Sequence, residues 1–166
     1  VPLTDIFYFD LINHSFDNHF SSSDQVFAEF DLSSYESEIK NKLADANILT
    51  IGAGGLSCPA NLVLAKAGVT KLSLIDFDHV EISNLNRQIL HSTATIGLLK
   101  VESAKQALEA MNPDLEVTTY SGAFSKENAR EIIKKHDLVI DGLDNLPTRY
   151  LLNDACYFEK KPLVEA

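Results

Sequence analysis

Residues 48–78, ILTIGAGGLSCPANLVLAKAGVTKLSLIDFD, constrain this chain more than any other stretch. Ile48, Leu49 and Ile51 form a short apolar run without polar alternation, the pattern of a strand covered on both faces. The run breaks into Gly52, Ala53, Gly54 and Gly55. A helical pattern follows, with Leu56, Ala60, Val63, Leu64 and Ala67 on one expected face and Gly68 as its stop. A second apolar run, 72–75, ends on Asp76. Strand, glycine turn, helix and strand with an acid at its tip make the nucleotide-binding βαβ pattern. There, close backbone amides and a helix N-terminus receive phosphate, and the acid binds ribose hydroxyls. The sixth position of G-x-G-x-x-G is Ser57, one glycine short, while Asp76 stands twenty-four residues after Gly52. Dinucleotide oxidoreductases and some ATP-using enzymes share this layout, so the turn alone does not choose a nucleotide.

The remaining elements extend the same alternation. Residues 34–43 read as a helix with Ser34 as N-cap and Ile39 and Leu43 as an i,i+4 pair. Residues 98–111 read as a helix with Lys100 near its start and Ala104, Leu108 and Met111 on one face, ended by Asn112-Pro113. A cation in a helix's first turn opposes the helix dipole and hints at an anionic ligand. Residues 116–120 alternate as a strand, 126–135 make a helix, and 137–141 form a buried strand tipped by Asp141. Gly142, Leu143, Asp144 and Asn145 precede a helix over 146–159, and 162–164 begin one more strand. The fold class that follows is α/β, a Rossmann-like, doubly wound, mostly parallel sheet with helices on both faces. Ligands of such sheets sit outside the carboxyl ends of the strands. That rule puts Asp141, Asp144 and Asn145 on the same edge as residues 52–55 and Asp76. A carboxylate there has two readings, a Mg²⁺ ligand or the cap of the following helix. Between them, residues 77–88 are polar and irregular and carry Arg87, the chain's first arginine and a natural oxyanion clamp.

Residues 1–33 have another character. Six of the nine phenylalanines fall in the first thirty positions, among His14, His19 and a serine run, without a clean period. This segment is expected to be an aromatic arm packed on the domain or on a neighbouring subunit; its two histidines lack a third metal ligand nearby. The domain proper is expected over 34–166. With 14 Lys and Arg against 24 Asp and Glu, the net charge of −10 disfavours a nucleic-acid surface. No apolar run is long enough to span a membrane, and the first residues lack the basic start of a signal peptide. Cys58 and Cys156 read as two buried free thiols, so a cytoplasmic setting is expected.

Four segments carry a more specific signal: GAGGLSCPANLVLAKAGV, LSLIDFDHVEISNLNRQILHS, GLLKVESAKQALEAMNPD and DLVIDGLDNLPTRYLLNDAC. Over residues 43–166 the chain resembles the adenylating domain of the ThiF/MoeB family, bacterial relatives of ubiquitin-activating enzymes. S-N-L-N-R-Q, then K-V-E-S-A, then D-N-x-x-x-R is a series that a nicotinamide dehydrogenase has no reason to carry. The resemblance implies an adenylyltransferase. It would use Mg²⁺-ATP to adenylate the C-terminal glycine carboxylate of a ubiquitin-fold, sulfur-carrier-like protein, releasing pyrophosphate, and would work as a homodimer. It further implies that Gly52, Gly54 and Gly55 cradle phosphate and Asp76 holds ribose. Asn84, Arg87 and Gln88 would line the triphosphate, Lys100 would reach the α-phosphate, and Asp144 would hold Mg²⁺. Arg87, Lys100 and Asp144 are then the catalytic set. Asp141, Asn145, Arg149 and Asn153 fall to supporting positions.

Three departures from the family accompany the resemblance. Ser57 replaces a usual glycine. No arginine precedes Arg87, whereas the family typically places one there that enters the neighbouring subunit's site. The chain stops where the family continues into its docking surface, zinc cysteines and sulfur-carrying cysteine; Cys58 and Cys156 are not at that position. A truncated chain without the family's zinc site is the expectation. A non-catalytic scaffold subunit of an activating complex is the alternative reading, and an NAD-dependent oxidoreductase the more distant one.

Overall fold

The apolar runs that lack polar alternation become the middle of a parallel sheet, because both their faces must be covered. The computed structural model describes residues 37–165. The chain runs α1 (Ser37–Asp45), β1 (Asn47–Ile51), α2 (Ser57–Lys66), β2 (Lys71–Ile75), two 3₁₀ turns (Ile82–Asn84 and Thr93–Thr95) and α3 (Lys100–Met111). It continues with β3 (Glu116–Tyr120), α4 (Ala129–Lys134), β4 (Leu138–Asp141), α5 (Leu146–Glu159) and β5 (Leu163–Glu165). The strands lie in the order β3-β2-β1-β4-β5, all parallel. Ile51 pairs with Ile75 and with Asp141, and Ile75 pairs with Tyr120. The carboxyl ends of four strands therefore finish in one line. The order reverses between β1 and β4, where a doubly wound sheet opens a crevice for a ligand. The expected fold class is the one observed.

Successive strand residues feed opposite faces. Ile48, Leu72, Leu74, Leu138 and Ile140 pack with Leu43 of α1, Leu62, Leu64 and Ala65 of α2, and Val101, Ala104 and Leu108 of α3. Leu49, Ile51, Ile75 and Val139 pack with Ile132 and Ile133 of α4 and Leu152, Ala155 and Cys156 of α5. Each face also buries one polar pair. Thr50 Oγ1 donates to Asn61 Oδ1 (2.8 Å), and Ser73 Oγ meets His136 Nε2 (2.8 Å).

Several local expectations shift. The buried face of α2 is Ser57, Cys58, Asn61, Leu62, Leu64 and Ala65, and Leu56 is exposed. Apolar spacing alone misphased this helix, because the sheet-facing side carries two polar residues, one of them serving Thr50. α3 starts at Lys100, two residues later than its apolar pattern, and Met111 is exposed. α4 is shorter than 126–135, because Asn128 Oδ1 accepts from Ser125 N (2.9 Å) and holds that stretch as a turn. Gly68 does stop α2: with φ +92°, it lets Gly68 N and Val69 N donate back to Ala65 O and Leu64 O. The arm expected over 1–33 and the Ser34 cap lie outside the described residues. No helix among the described residues is long and apolar enough to cross a membrane.

Candidate nucleotide site

A cavity of about 690 Å³ opens at the line of strand ends. All nine residues singled out from the sequence line it: Gly52, Gly54, Gly55, Asp76, Asn84, Arg87, Gln88, Lys100 and Asp144. The segments that follow β1, β2 and β4 meet there because those strands end side by side, and Lys100 joins them from the start of α3.

The glycine loop is shaped by Gly52 and Asp76. Gly52 has φ +94°, and a Cβ on it would lie 2.8 Å from Gly142 O, so both conformation and space require glycine. Asp76 Oδ2 accepts from Ala53 N (2.7 Å) and Oδ1 from Asp78 N (2.8 Å). This carboxylate ties the loop to the end of β2 and keeps lone pairs for a further donor. Gly54 and Gly55 differ from Gly52. Neither has a positive φ, and added Cβ atoms would meet Gln88 Nε2 at 3.7 Å and Arg87 Cγ and Cδ at 3.6 Å, ordinary contacts. Their side of the loop faces the cavity. Ser57, in place of a third glycine, is accommodated by a glycine elsewhere: a Cβ on Gly142 would overlap its hydroxyl.

α2 starts from this loop with no side-chain cap and no acidic residue in its first turn. Cys58 N donates to Gly54 O (3.0 Å) and Pro59 has no N–H, so it is the helix dipole rather than these amides that favours an anion there. Two cations face the same space. The Arg87 stem lies against Gly55, and its Nη1 donates to Ser83 O (3.2 Å) and Asn86 Oδ1 (3.1 Å). Lys100 is 7% exposed, and its ammonium pairs with Asp78 Oδ2 at 2.9 Å. Gln88 is buried beside Gly54, and its Oε1 has no hydrogen-bond partner. A buried orphan acceptor at a cavity wall suits a ligand donor or a bridging water. Asn84 Oδ1 accepts from Glu81 N (3.2 Å) and shapes the turn that presents Arg87. The lining also includes the apolar residues Ile51, Ile75, Phe77, Phe124 and Leu143.

Asp144 is exposed and lines the cavity. It does not cap α5. Asn145 does, its Oδ1 accepting from Thr148 N (3.1 Å). Among the described residues no group of three or more His, Cys, Asp or Glu is placed to hold a metal. The donors present thus suit Mg²⁺ only as an ion shared with ligand phosphates, the way Mg²⁺ commonly binds. Asp141 is a supporting group: buried, it accepts from Leu143 N (2.8 Å) and faces Arg149 Nε at 3.3 Å. Burial raises its pKa, opposed by that amide and by Arg149. Burial also pushes Cys58 up to about 11 and Cys156 to about 12, so both stay thiols at neutral pH.

Two residues emerge here that the sequence pattern did not single out. His91, 7% exposed, places Nε2 3.0 Å from Ala53 O and Nδ1 3.0 Å from Ser103 Oγ. Ala53 O can only accept, so Nε2 carries hydrogen. Both backbone polar groups of Ala53 are thereby held, its N–H by Asp76 and its carbonyl by His91. Asp78 is the second. Each reads in sequence as an ordinary polar residue beside an apolar run, and only the fold gives it a partner.

The sequence model of the ThiF family matches residues 27–166. The adenylyltransferase and sulfurtransferase MOCS3 of Culex quinquefasciatus is 50% identical over 123 residues, 74% of this chain and 28% of that protein. The protein of the same name from Dictyostelium discoideum is 48% identical over 122 residues, 29% of its length. The chain thus spans less than a third of these curated relatives. Among solved structures, the E. coli tRNA N6-threonylcarbamoyladenosine dehydratase TcdA in complex with ATP superposes with a TM-score of 0.76 at 31% identity, covering 79% of this chain and 54% of that one. E. coli MccB with ATP gives 0.72 at 26% identity, covering 76% and 38%.

Proposed function

The chain belongs to the ThiF family, and from that premise we propose that it binds Mg²⁺-ATP in this cavity and adenylates a carboxylate. One observation carries the reading: the start of a ten-residue helix opens onto a cavity that two cations, Arg87 and Lys100, also face. That supports a polyphosphate ligand. Relatives named as adenylyltransferases, and neighbours solved with ATP, support ATP in particular.

In this reading the phosphates lie over Gly54 and Gly55, beside Arg87, Gln88 and Lys100. The ribose hydroxyls donate to the free lone pairs of Asp76, and the base lies against the apolar residues Phe77, Phe124 and Leu143. A carboxylate oxygen of the partner attacks the α-phosphorus, forming an acyl-phosphate bond as the bond to the β-phosphate oxygen breaks and pyrophosphate leaves. No general base is needed, since a carboxylate is already ionised at pH 7. Both reactants are anionic, so Arg87 and Lys100 act by neutralising charge as it redistributes. Asp144 would hold the Mg²⁺, which supplies charge neutralisation at phosphate oxygens. The carboxylate donor is the C-terminal glycine of a ubiquitin-fold, sulfur-carrier-like protein, and the working unit is a homodimer to which the aromatic segment of residues 1–33 contributes.

The test is pyrophosphate release from ATP in the presence of a panel of ubiquitin-fold sulfur carriers. Release with one carrier, abolished when its terminal glycine is removed, is expected. ATP binding without release from any carrier would favour the scaffold reading. Asp144→Ala should remove the Mg²⁺ dependence of ATP binding and leave the unfolding temperature unchanged; an unaltered Mg²⁺ dependence would take Asp144 out of the site. Light scattering should give a dimer mass, and a concentration-independent monomer mass would exclude the homodimer.

A further inference from the structure

Lys100 reaches the cavity through an arrangement that the proposed function does not itself require. The segments on either side of residues 81–96 are zipped together at their base. Val80 N donates to Leu98 O (2.8 Å), Gly97 N to Val80 O (2.9 Å) and Lys100 N to Asp78 O (2.9 Å), and His79 bridges antiparallel to Leu99. This clasp fixes Asp78 directly opposite the first residue of α3. The side chains then pair at 2.9 Å, with unequal surroundings: the lysine side chain is 9% exposed and the aspartate 52%. Little of the lysine side chain reaches water, whereas half of the aspartate's does. A buried cation without a partner is strongly destabilising, while a half-exposed anion loses little by being released. Asp78 is further held by its own amide, which donates to Asp76 Oδ1, so it belongs to the network that shapes the glycine loop.

We propose that Asp78 is the resting counter-ion of Lys100, a positioning residue that holds the buried ammonium at the cavity wall until the phosphates of the nucleotide replace it. This rests on the nucleotide reading of the cavity, and it gives Asp78 two opposed effects. In the free protein its carboxylate stabilises the fold by satisfying Lys100. In the complex it competes with phosphate for the same ammonium and adds a like charge beside a polyanion. A purely structural residue would have only the first effect.

The decisive comparison uses the 166-residue chain and its Asp78→Asn, Lys100→Gln and double variants, with thermal unfolding read without nucleotide and Mg²⁺-ATP affinity read by calorimetry. Asp78→Asn should lower the unfolding temperature of the free chain by several degrees, yet bind Mg²⁺-ATP several-fold more tightly. In the Lys100→Gln background, where no ammonium needs a counter-ion, the loss of stability should vanish and the gain in affinity should shrink to what the removed like charge alone supplies. Asp78→Glu should stay close to the wild type in both readings. Equal or weaker ATP binding by a folded Asp78→Asn chain would overturn the exchange. An effect of the same size with and without Lys100 would overturn the pairing. The free-chain unfolding comparison contains no nucleotide, so it judges the pair even if the wild type binds no ATP, a result that would instead defeat the nucleotide reading.

Discussion

Gly52 and Gly54 look equivalent in the sequence, and the structure separates them. Gly52 is fixed by a positive φ and by Gly142 O, whereas Gly54 has ordinary geometry and room for a methyl group. Gly52→Ala should therefore destabilise the chain by more than the roughly 1–2 kcal/mol of a left-handed residue. Gly54→Ala should stay within about 1 kcal/mol of the wild type and act instead on nucleotide affinity. Chemical denaturation of the two variants checks the contrast, and equal losses of stability would contradict it. The buried histidines make a prediction about pH. Burial lowers the pKa of both His91 and His136 below the ordinary 6.5, so the folded state favours the neutral rings. The folded chain then binds fewer protons than the unfolded chain. The stability from this source is complete above about pH 6.5 and is lost as pH falls through the lowered folded values. Denaturation midpoints at pH 7.5 and pH 5.5 should show the loss, and His136→Gln should shrink it. A midpoint independent of pH over that range would refute it.

Elements were legible where one physical signal dominated. Buried strands announce themselves by apolar runs, and Gly68 ends α2 because only a residue free to take positive φ closes that helix end. The phase of α2 was not legible, because Ser57 and Asn61 point inward for reasons that lie on other elements, β1 and the turn after β4. The start of α3 was hidden likewise, since the clasp to residues 78–80 sets it rather than its own apolar pattern. The contact between α2 and the turn after β4 gives a coupled prediction. Gly142→Ala should be severely destabilising, because its methyl group overlaps the Ser57 hydroxyl. Ser57→Gly should recover part of the loss, leaving the 3.1 Å approach to Ile51 O. Additive effects in a double-mutant cycle would contradict this account of how the missing third glycine is tolerated.

At the scale of the whole molecule, alternation of strand and helix was enough to specify a doubly wound sheet, and the sheet places a ligand crevice where the strand order reverses between β1 and β4. Nine residues spread from 52 to 144 line that crevice because parallel strands end in register, a consequence of topology that residue spacing alone does not express. The roles of Asp78 and His91 were not legible for the same reason: their partners, Lys100 and Ala53, stand 22 and 38 positions away in the chain. The central claim is that this crevice takes ATP. Thermal unfolding of the 166-residue chain with Mg²⁺-ATP, Mg²⁺-AMP and NAD in parallel tests it most directly. A ligand at a hundred times its dissociation constant stabilises by about 2.7 kcal/mol, several degrees for a chain of this size. A rise of that order with Mg²⁺-ATP and none with NAD is the expected result. An unchanged unfolding temperature with ATP, or a rise with NAD alone, would contradict the claim.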